Sequence, residues 1–507
     1  MSPDEGAFDL LIRGGTIVDG SGAPPFVGDI GLREGRIIAV GRVEGPAART
    51  IDAAGLAVSP GFIDVHSHDD AAVMSTCMDF KLMQGVTTVI AGNCGAGVAP
   101  LRDDGSFAIP GMDTVLGALP EVTWRTFGEY MQAVERSEPA INVGCFVPHG
   151  VVRYRHLGMD HRAPSAAELG AMRADVEEGM AAGAFGLSTG LIYPPGAFAQ
   201  TEELIALTDA VAEHGGIYMS HIRDESGRLL DAVSEAIRIG REAGTPVQIS
   251  HHKASGRSNW GKTEDSIALI ERERDAGTDV TFDAYPYTAA STVLAVMARA
   301  PEPLPPEAIL VSSVSGQPEW EGKTVAQLAD NFACSPDEAI RRVLAADPGA
   351  LAVFFLMHED DVRRVLAHPL CMIGSDGIPS AGKPHPRLYG TFPRVLGKYV
   401  REEKLMALEE GVRKMTSLPA ARMGLGDRGL LKAGYAADIA VFDPDAISDR
   451  ATYEDPRQYP AGIEYVIVNG QVAAERGELR TAVRAGRLLR RGAASRPQEE
   501  REASHGH

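Results

Sequence analysis

Residues 201–253 read TEELIALTDAVAEHGGIYMSHIRDESGRLLDAVSEAIRIGREAGTPVQISHHK, two helical segments alternating with two short apolar strands. The first helix opens at Thr201 with Glu202 and Glu203 in its first turn, where acids suit the positive end of the helix dipole, and stops at Gly215-Gly216. IYMSH follows. The second helix ends at Gly244 with Pro246 beyond, and PVQIS follows it. Working outward, the same order recurs. SAAELGAMRADVEEGMAAG (165–183) carries a capping-box spacing, Ser165 to Glu168, and leads into AFGLST, while TEDSIALIERERDAG (263–277) leads into DVTFDAY. The strand candidates are GFIDVH (61–66), VTTVIAG (86–92), INVGCFVP (141–148), AFGLST (184–189), GGIYMSH (215–221), TPVQISH (245–251), DVTFDAY (279–285) and LCMIGSD (370–376). Eight strands with intervening helices predict an α/β fold, a closed (β/α)8 barrel over residues 61–424. The rival, an open doubly wound sheet, finds no Gly-rich phosphate fingerprint to support it.

The two chain ends have a different texture. DLLIRGGTIVDG, DIGLREGRIIAVG and RTIDAAGLAVSPG near the start resemble YAADIAVFDP and IEYVIVNGQVAAERG near the end: short apolar runs between Gly and Asp turn signals. Residues 1–60 and 425–480 are therefore expected to form one small β-sandwich domain. A Pro-rich excursion at about 286–350 is expected to cover the site, and 481–507 reads as a flexible tail.

The 507 residues carry 49 Lys plus Arg against 69 Asp plus Glu, a net charge of −20, which argues against a nucleic-acid-binding surface. No run of about 18 apolar residues exists to cross a membrane. Asp4, Glu5 and Arg13 spoil the pattern of a secretory signal. Five scattered cysteines (Cys77, Cys94, Cys145, Cys334 and Cys371) make no disulfide framework and fit a reducing cytoplasm.

Polar residues bunch where the strand candidates end, which is where barrels of this kind carry their active sites. His66-Ser67-His68 ends the first strand, and residues two apart on extended chain point the same way. Cys94 ends the second, His221 the fifth, His251-His252-Lys253 the sixth and Ser375-Asp376 the eighth. Thiolate and imidazole suit zinc, which leaves a position for water and lowers its pKa. Asp376 beside that water could move a proton to a leaving amine. Strand alternation alone does not choose between His251 and His252. Arg387, in HPRLYG, offers a planar fork for a carboxylate.

This arrangement resembles the amidohydrolase superfamily. Its usual strand-four lysine is missing from FGLSTGLIY, so a bridging anion must come from elsewhere, and Cys94 is well placed. The strings PGFIDVHSHDD, GVTTVIAGNCG, STGLIYPPG, SHIRDE, SHHK, DAYPY, IGSDG and HPRLYGTFPRVLG resemble the N-acyl-D-amino-acid deacylase (D-aminoacylase) family from about residue 8 to 475. The resemblance implies one tight zinc on Cys94, His221 and His251, and a second, weaker metal position on His66 and His68 with Cys94 bridging. It makes Asp376 the general acid/base and a further metal contact. It selects His251 as the first histidine of SHHK. It adds Lys253, Tyr285 and Ser291 to the carboxylate clamp, and Ile192, Phe354 and Met357 to an apolar side-chain pocket. Tyr193 would orient the acyl carbonyl. The implied reaction is zinc-dependent hydrolysis of N-acyl-D-amino acids with apolar side chains, a small-molecule activity needing neither nucleic acid nor membrane. D-selectivity would follow because exchanging two substituents at Cα drives the side chain into the wall. Zinc, Lys253 and Arg387 would make the site locally positive. The alternatives are a D-glutamate or D-aspartate deacylase with Arg299 meeting the acid, a cyclic-amide hydrolase of the hydantoinase or dihydroorotase kind, and an inactive barrel scaffold.

Overall fold

The structure is a computed structural model describing residues 8–106, 109, 113–116, 121–297 and 304–492. Five strands come first: β1 (Phe8–Ile17), β2 (Phe26–Arg33), β3 (Arg36–Gly41), β4 (Ala47–Asp52) and β5 (Ala57–Pro60). β1 is antiparallel to β2 and parallel to both β4 and β5. It serves both β4 and β5 on one edge because it bends: its register with β2 shifts between Ile12 and Gly15, and Gly14 takes φ +68°. A Cβ on Gly15 would come within 2.5 Å of Val58, so the close approach to β5 needs glycine.

The barrel strands follow: β6 (Phe62–Asp64), β7 (Val86–Ala91), β8 (Asn142–Cys145), β9 (Val147–Pro148), β10 (Gly186–Gly190), β11 (Ile217–His221), β12 (Val247–Ile249) and β13 (Val280–Ala284). Each pairs in parallel with its neighbours, and their residues are buried throughout, as strands covered on both faces must be. β8 and β9 are one path that changes partner at Phe146, β8 lying on β7 and β9 on β10. An inserted sheet comes next, from β14 (Ala289–Val293), β15 (Ile309–Ser313), β16 (Lys323–Thr324) and β17 (Leu351–Phe355), antiparallel in the order β14-β17-β15-β16. The described part of the expected excursion to about residue 350 holds this sheet and the helices Val325–Phe332 and Pro336–Ala346, and its last strand runs on to Phe355, because Leu351 to Phe355 zip against β14.

β18 (Cys371–Ile373) returns to lie beside β13. The ring closes between β18 and β6 through residues that carry chemistry: Ser67 bridges Gly377, and the Asp376 N–H donates to the His66 carbonyl at 2.8 Å. Beneath this seam Lys81 Nζ lies 2.6 Å from Asp64 Oδ2, 3.3 Å from Asp69 Oδ2 and 2.7 Å from Ser375 Oγ, all fully buried. Asp64 Oδ1 accepts the Ser375 N–H at 2.8 Å, so one buried ion cluster pins the first strand to the eighth.

β19 (Ile439–Phe442), β20 (Ile463–Val468), β21 (Gln471–Glu475) and β22 (Glu478–Leu479) complete the terminal domain, with β19 antiparallel to β5. Strands from both chain ends make one nine-stranded sheet folded over a core that includes Leu10, Ile30, Val58, Ile439 and Ile467. The expected flexible tail needs correction over residues 481–492. Val143 N–H donates to the Arg487 carbonyl (2.9 Å), the Leu489 N–H donates to Val143 (2.7 Å), and Leu488 is buried. Among the described residues β8 has only β7 as a strand partner, and residues 486–489 satisfy its other edge. Residues 493–507 lie outside the described residues. Among the described residues no helix is long and apolar enough to cross a membrane.

Candidate active site

The residues that end the barrel strands converge on one buried cluster. Cys94 Sγ lies 3.2 Å from His66 Nε2 and 3.4 Å from His251 Nε2. Asp376 Oδ1 lies 3.1 Å from His68 Nε2 and 3.5 Å from His66 Nε2. Donor atoms of His66, Cys94, His251 and Asp376 all fall within 4.8 Å of one another, and His221, Glu225 and His251 form an overlapping second group. Cys94, His251 and Asp376 adopt left-handed backbone (φ 53°, 34° and 50°), a costly conformation for side-chain-bearing residues that often marks functional sites. The His251 turn is held by its N–H donating to Asp283 Oδ1 at 2.8 Å. Its neighbour His252 turns away to Ser266 Oγ at 2.8 Å, so His251 is the one that faces the cluster.

The donor chemistry fits a soft divalent cation. His221 is buried, yet neither ring nitrogen has a hydrogen-bond partner, which a ligand nitrogen turned toward a metal explains. Burial opposes ionisation of Cys94, but the charges of His66 and His251 hold its thiol well below the ordinary range. Burial likewise resists an Asp376 anion, yet Arg387 above all holds that carboxyl well below its usual range. For His68, burial works against protonation, but the contacts with Asp376 and Cys94 together outweigh it and its pKa rises to about 9.

Arg387 is buried beside this cluster. Its Nη1 pairs with Asp376 Oδ2 at 2.9 Å, its Nη2 donates to the Ser291 carbonyl at 3.1 Å, and its guanidinium lies 4.6 Å from the Tyr285 ring centre. Arg387 Nε has no hydrogen-bond partner. Lys253 Nζ lies 2.6 Å from Glu225 Oε1 and 5.5 Å from the same ring centre. Glu225 Oε1 is also 3.0 Å from His251 Nδ1. The expectation of a locally positive pocket is therefore corrected at the level of side chains: each cation is matched by a carboxylate, Arg387 by Asp376 and Lys253 by Glu225. Glu225 was missed from the sequence. It stands four residues after His221 in SHIRDE, and its part depends on how the loop after β11 folds back.

The cluster opens into a cavity of about 650 Å3 whose walls include Ile192, Tyr193, His221, Lys253, Tyr285 and Asp376. Tyr193 stands edge-on to His221, ring centres 5.0 Å apart, and its Oη accepts from Thr292 Oγ1 at 3.0 Å. Ser291 also lines it. Phe354 and Met357 do not take the places expected of them. Phe354 is fully buried in the inserted sheet opposite Ala290 and Ile309. Met357 lines a small adjoining space that shares His251, Lys253 and Tyr285 with the main cavity, and Leu356 faces the main cavity instead. Arg299 lies outside the described residues.

A closed barrel with Cys, His and Asp donors at its C-terminal rim, beside a buried arginine with a free donor, defines a metal-dependent hydrolase of amide-type bonds. Residues 49–474 match the amidohydrolase family. The chain is 43% identical over 493 residues to the D-aminoacylase of Alcaligenes xylosoxydans xylosoxydans, covering 97% of this chain and 99% of that one. The N-acyl-D-glutamate deacylase of the same organism is 42% identical over 488 residues, with 96% and 97% covered. The crystal structure of N-acyl-D-glutamate deacylase from Bordetella bronchiseptica, complexed with zinc and a phosphonate inhibitor, matches at a TM-score of 0.89 and 41% identity, covering 96% of this chain and 100% of that one. A D-hydantoinase at 17% identity and a TM-score of 0.61 shares the fold alone. The chain belongs to the amidohydrolase family, in its N-acyl-D-amino-acid deacylase branch.

Proposed function

We propose that this enzyme is a zinc-dependent, cytoplasmic hydrolase of N-acyl-D-amino acids with apolar side chains. The observation that carries the reading is the meeting of a Cys94–His66–His251–Asp376 donor cluster with a buried Arg387 whose Nε is unpartnered. Cys94, His221 and His251 would hold the tight zinc, and His66 and His68, with Cys94 shared, a weaker second ion. Bound zinc polarises the scissile carbonyl and makes water a stronger acid. Arg387 takes the α-carboxylate through its free donor, with Lys253 and Tyr285 on the same side. Because Tyr193 Oη already accepts from Thr292, its own proton is free to point at the acyl carbonyl. Asp376 takes a proton from the attacking water and returns it to the leaving nitrogen. The water oxygen joins the acyl carbon, the C–N bond breaks, and a carboxylate and a free D-amino acid leave.

The apolar preference rests on the walls and on charge matching. Val293, Val296, Leu304 and Leu356 face the cavity beneath the inserted sheet. Arg223, also on the wall, is committed to Glu235 through Nε (2.9 Å) and to the carbonyls of Ala197 (3.1 Å) and Ala199 (3.0 Å). Among the described residues that line the cavity, no cation is left over for a second substrate carboxylate. The five free cysteines support the cytoplasmic reading. A hydrolysis screen of N-acetyl-D-Met, -D-Phe, -D-Glu and -D-Asp against their L-enantiomers tests the proposal. D-Met and D-Phe should lead. A lead by D-Glu or D-Asp would overturn the side-chain reading, and L-preference would overturn the activity itself.

A further inference from the structure

The residues proposed to clamp the carboxylate lie on one side of the barrel, Lys253 and Tyr285 on the cavity wall and Arg387 buried beside Tyr285. Lys253 follows β12, Tyr285 follows β13 and Arg387 follows β18, the sixth, seventh and eighth strands of the ring. In a closed ring of eight, the third and fourth strands lie opposite the seventh and eighth. On that opposite side the cavity wall is apolar: Leu191, Ile192, Pro194 and Ala197 follow β10, the fourth strand, and Met159 follows the helix His149–Leu157 after β9, the third. The metal donors lie between the two sides, with Tyr193 of the apolar side against His221. In an N-acyl amino acid the acyl carbons lie across the scissile bond from the carboxylate. A substrate clamped at Arg387 with its amide over the metal donors therefore sends its acyl chain toward Leu191, Ile192, Pro194 and Met159.

The cavity as a whole, about 650 Å3, is larger than an N-acetyl amino acid needs: sites of about 300–1,000 Å3 bury drug-sized ligands, whereas N-acetyl-D-methionine has only about a dozen non-hydrogen atoms. Met159 is 43% exposed, so the apolar lining reaches the outer rim and a chain can continue along it. We infer that the enzyme acts on N-acyl-D-amino acids with medium-length to long acyl chains, held along Leu191, Ile192, Pro194 and Met159. Ile192 then borders the acyl chain rather than the D side chain. The inference rests on the deacylase reading above and deepens it.

The test is a homologous series of N-acyl-D-methionines, from acetyl through butyryl and hexanoyl to octanoyl, assayed with zinc-loaded enzyme below the micelle threshold. Removing methylenes from water should raise kcat/KM by about fourfold per fully buried CH2. Flat or falling kcat/KM with acetyl hydrolysed well would overturn the long-chain inference and leave the deacylase reading standing. No hydrolysis of any member would overturn both. Met159→Glu, at an exposed position that tolerates charge, places an anion along the chain's path and should cut the octanoyl-to-acetyl ratio by about fivefold or more. An unchanged ratio would put the chain elsewhere and overturn the assigned arm.

Discussion

Glu225→Gln removes one negative charge from the point where two functional side chains meet. Glu225 Oε1 receives Lys253 Nζ at 2.6 Å and faces His251 Nδ1 at 3.0 Å, in a nearly buried setting. Burial opposes its ionisation, but Lys253, His221 and His251 together hold the carboxyl well below the usual range, so it works as an anion. An imidazole that gives Nε2 to a metal is oriented by the partner of its Nδ1–H, and losing such a partner typically costs about 10- to 100-fold in metal affinity or activity. Each charge-assisted contact is worth about 1.5–3 kcal/mol, at least about tenfold. Glutamine keeps the shape and one acceptor, so the low end of that range is expected for zinc affinity, about tenfold, read by competition with a chromophoric chelator. At saturating zinc KM should rise about tenfold as well, because Lys253 loses the anion that fixes it. Zinc affinity and KM both within about twofold of the parent would refute the reasoning, provided the thermal midpoint of the metal-free protein has not moved.

Cys94→Ala takes a ligand from both metal positions, and purified protein should retain almost no zinc by elemental analysis and show no turnover; normal activity would sink the ligand assignment. Arg387→Ala should raise KM by about tenfold or more through loss of a charge-assisted carboxylate contact, and Arg387→Lys should not restore it, since one ammonium cannot replace a planar fork. Steady-state kinetics decide it, with an unchanged KM placing the clamp elsewhere. Lys81→Met strips the countercharge from buried Asp64 and Asp69 and should destabilise the barrel by about 3–5 kcal/mol. A thermal midpoint that stays put would contradict the role given to the ion cluster at the barrel seam.

Much of the architecture is written in local pattern. The eight strand segments announce themselves because each is a short apolar run between a helix stop and a polar end, and parallel barrel strands are buried on both faces. The donors are legible for the same reason: strand ends set the layer in which His66, Cys94, His221, His251 and Asp376 meet. What stayed hidden depends on long-range packing. Glu225 and Lys81 look like ordinary surface charges in SHIRDE and DFKLMQG, and only tertiary folding buries them. The pairing of residues 486–489 with β8 could not be foreseen because no local signal shows that β8 has an edge to fill. Phe354 misled because an apolar run such as LAVFF does not declare which of two compartments each side chain enters, and here it packs inside the inserted sheet. The pairing of Arg387 with Asp376 is a matter of geometry that spacing does not carry.

The most direct measurement is the endpoint of hydrolysis of racemic N-acetylmethionine by the zinc-loaded enzyme, followed by amine release and then by chiral analysis of the residue. If the carboxylate clamp and the metal donors fix the Cα substituents as described, release stops at about half of the total, and the remaining substrate is the L-enantiomer. Release that runs to completion, or that leaves the D-enantiomer behind, would contradict the account.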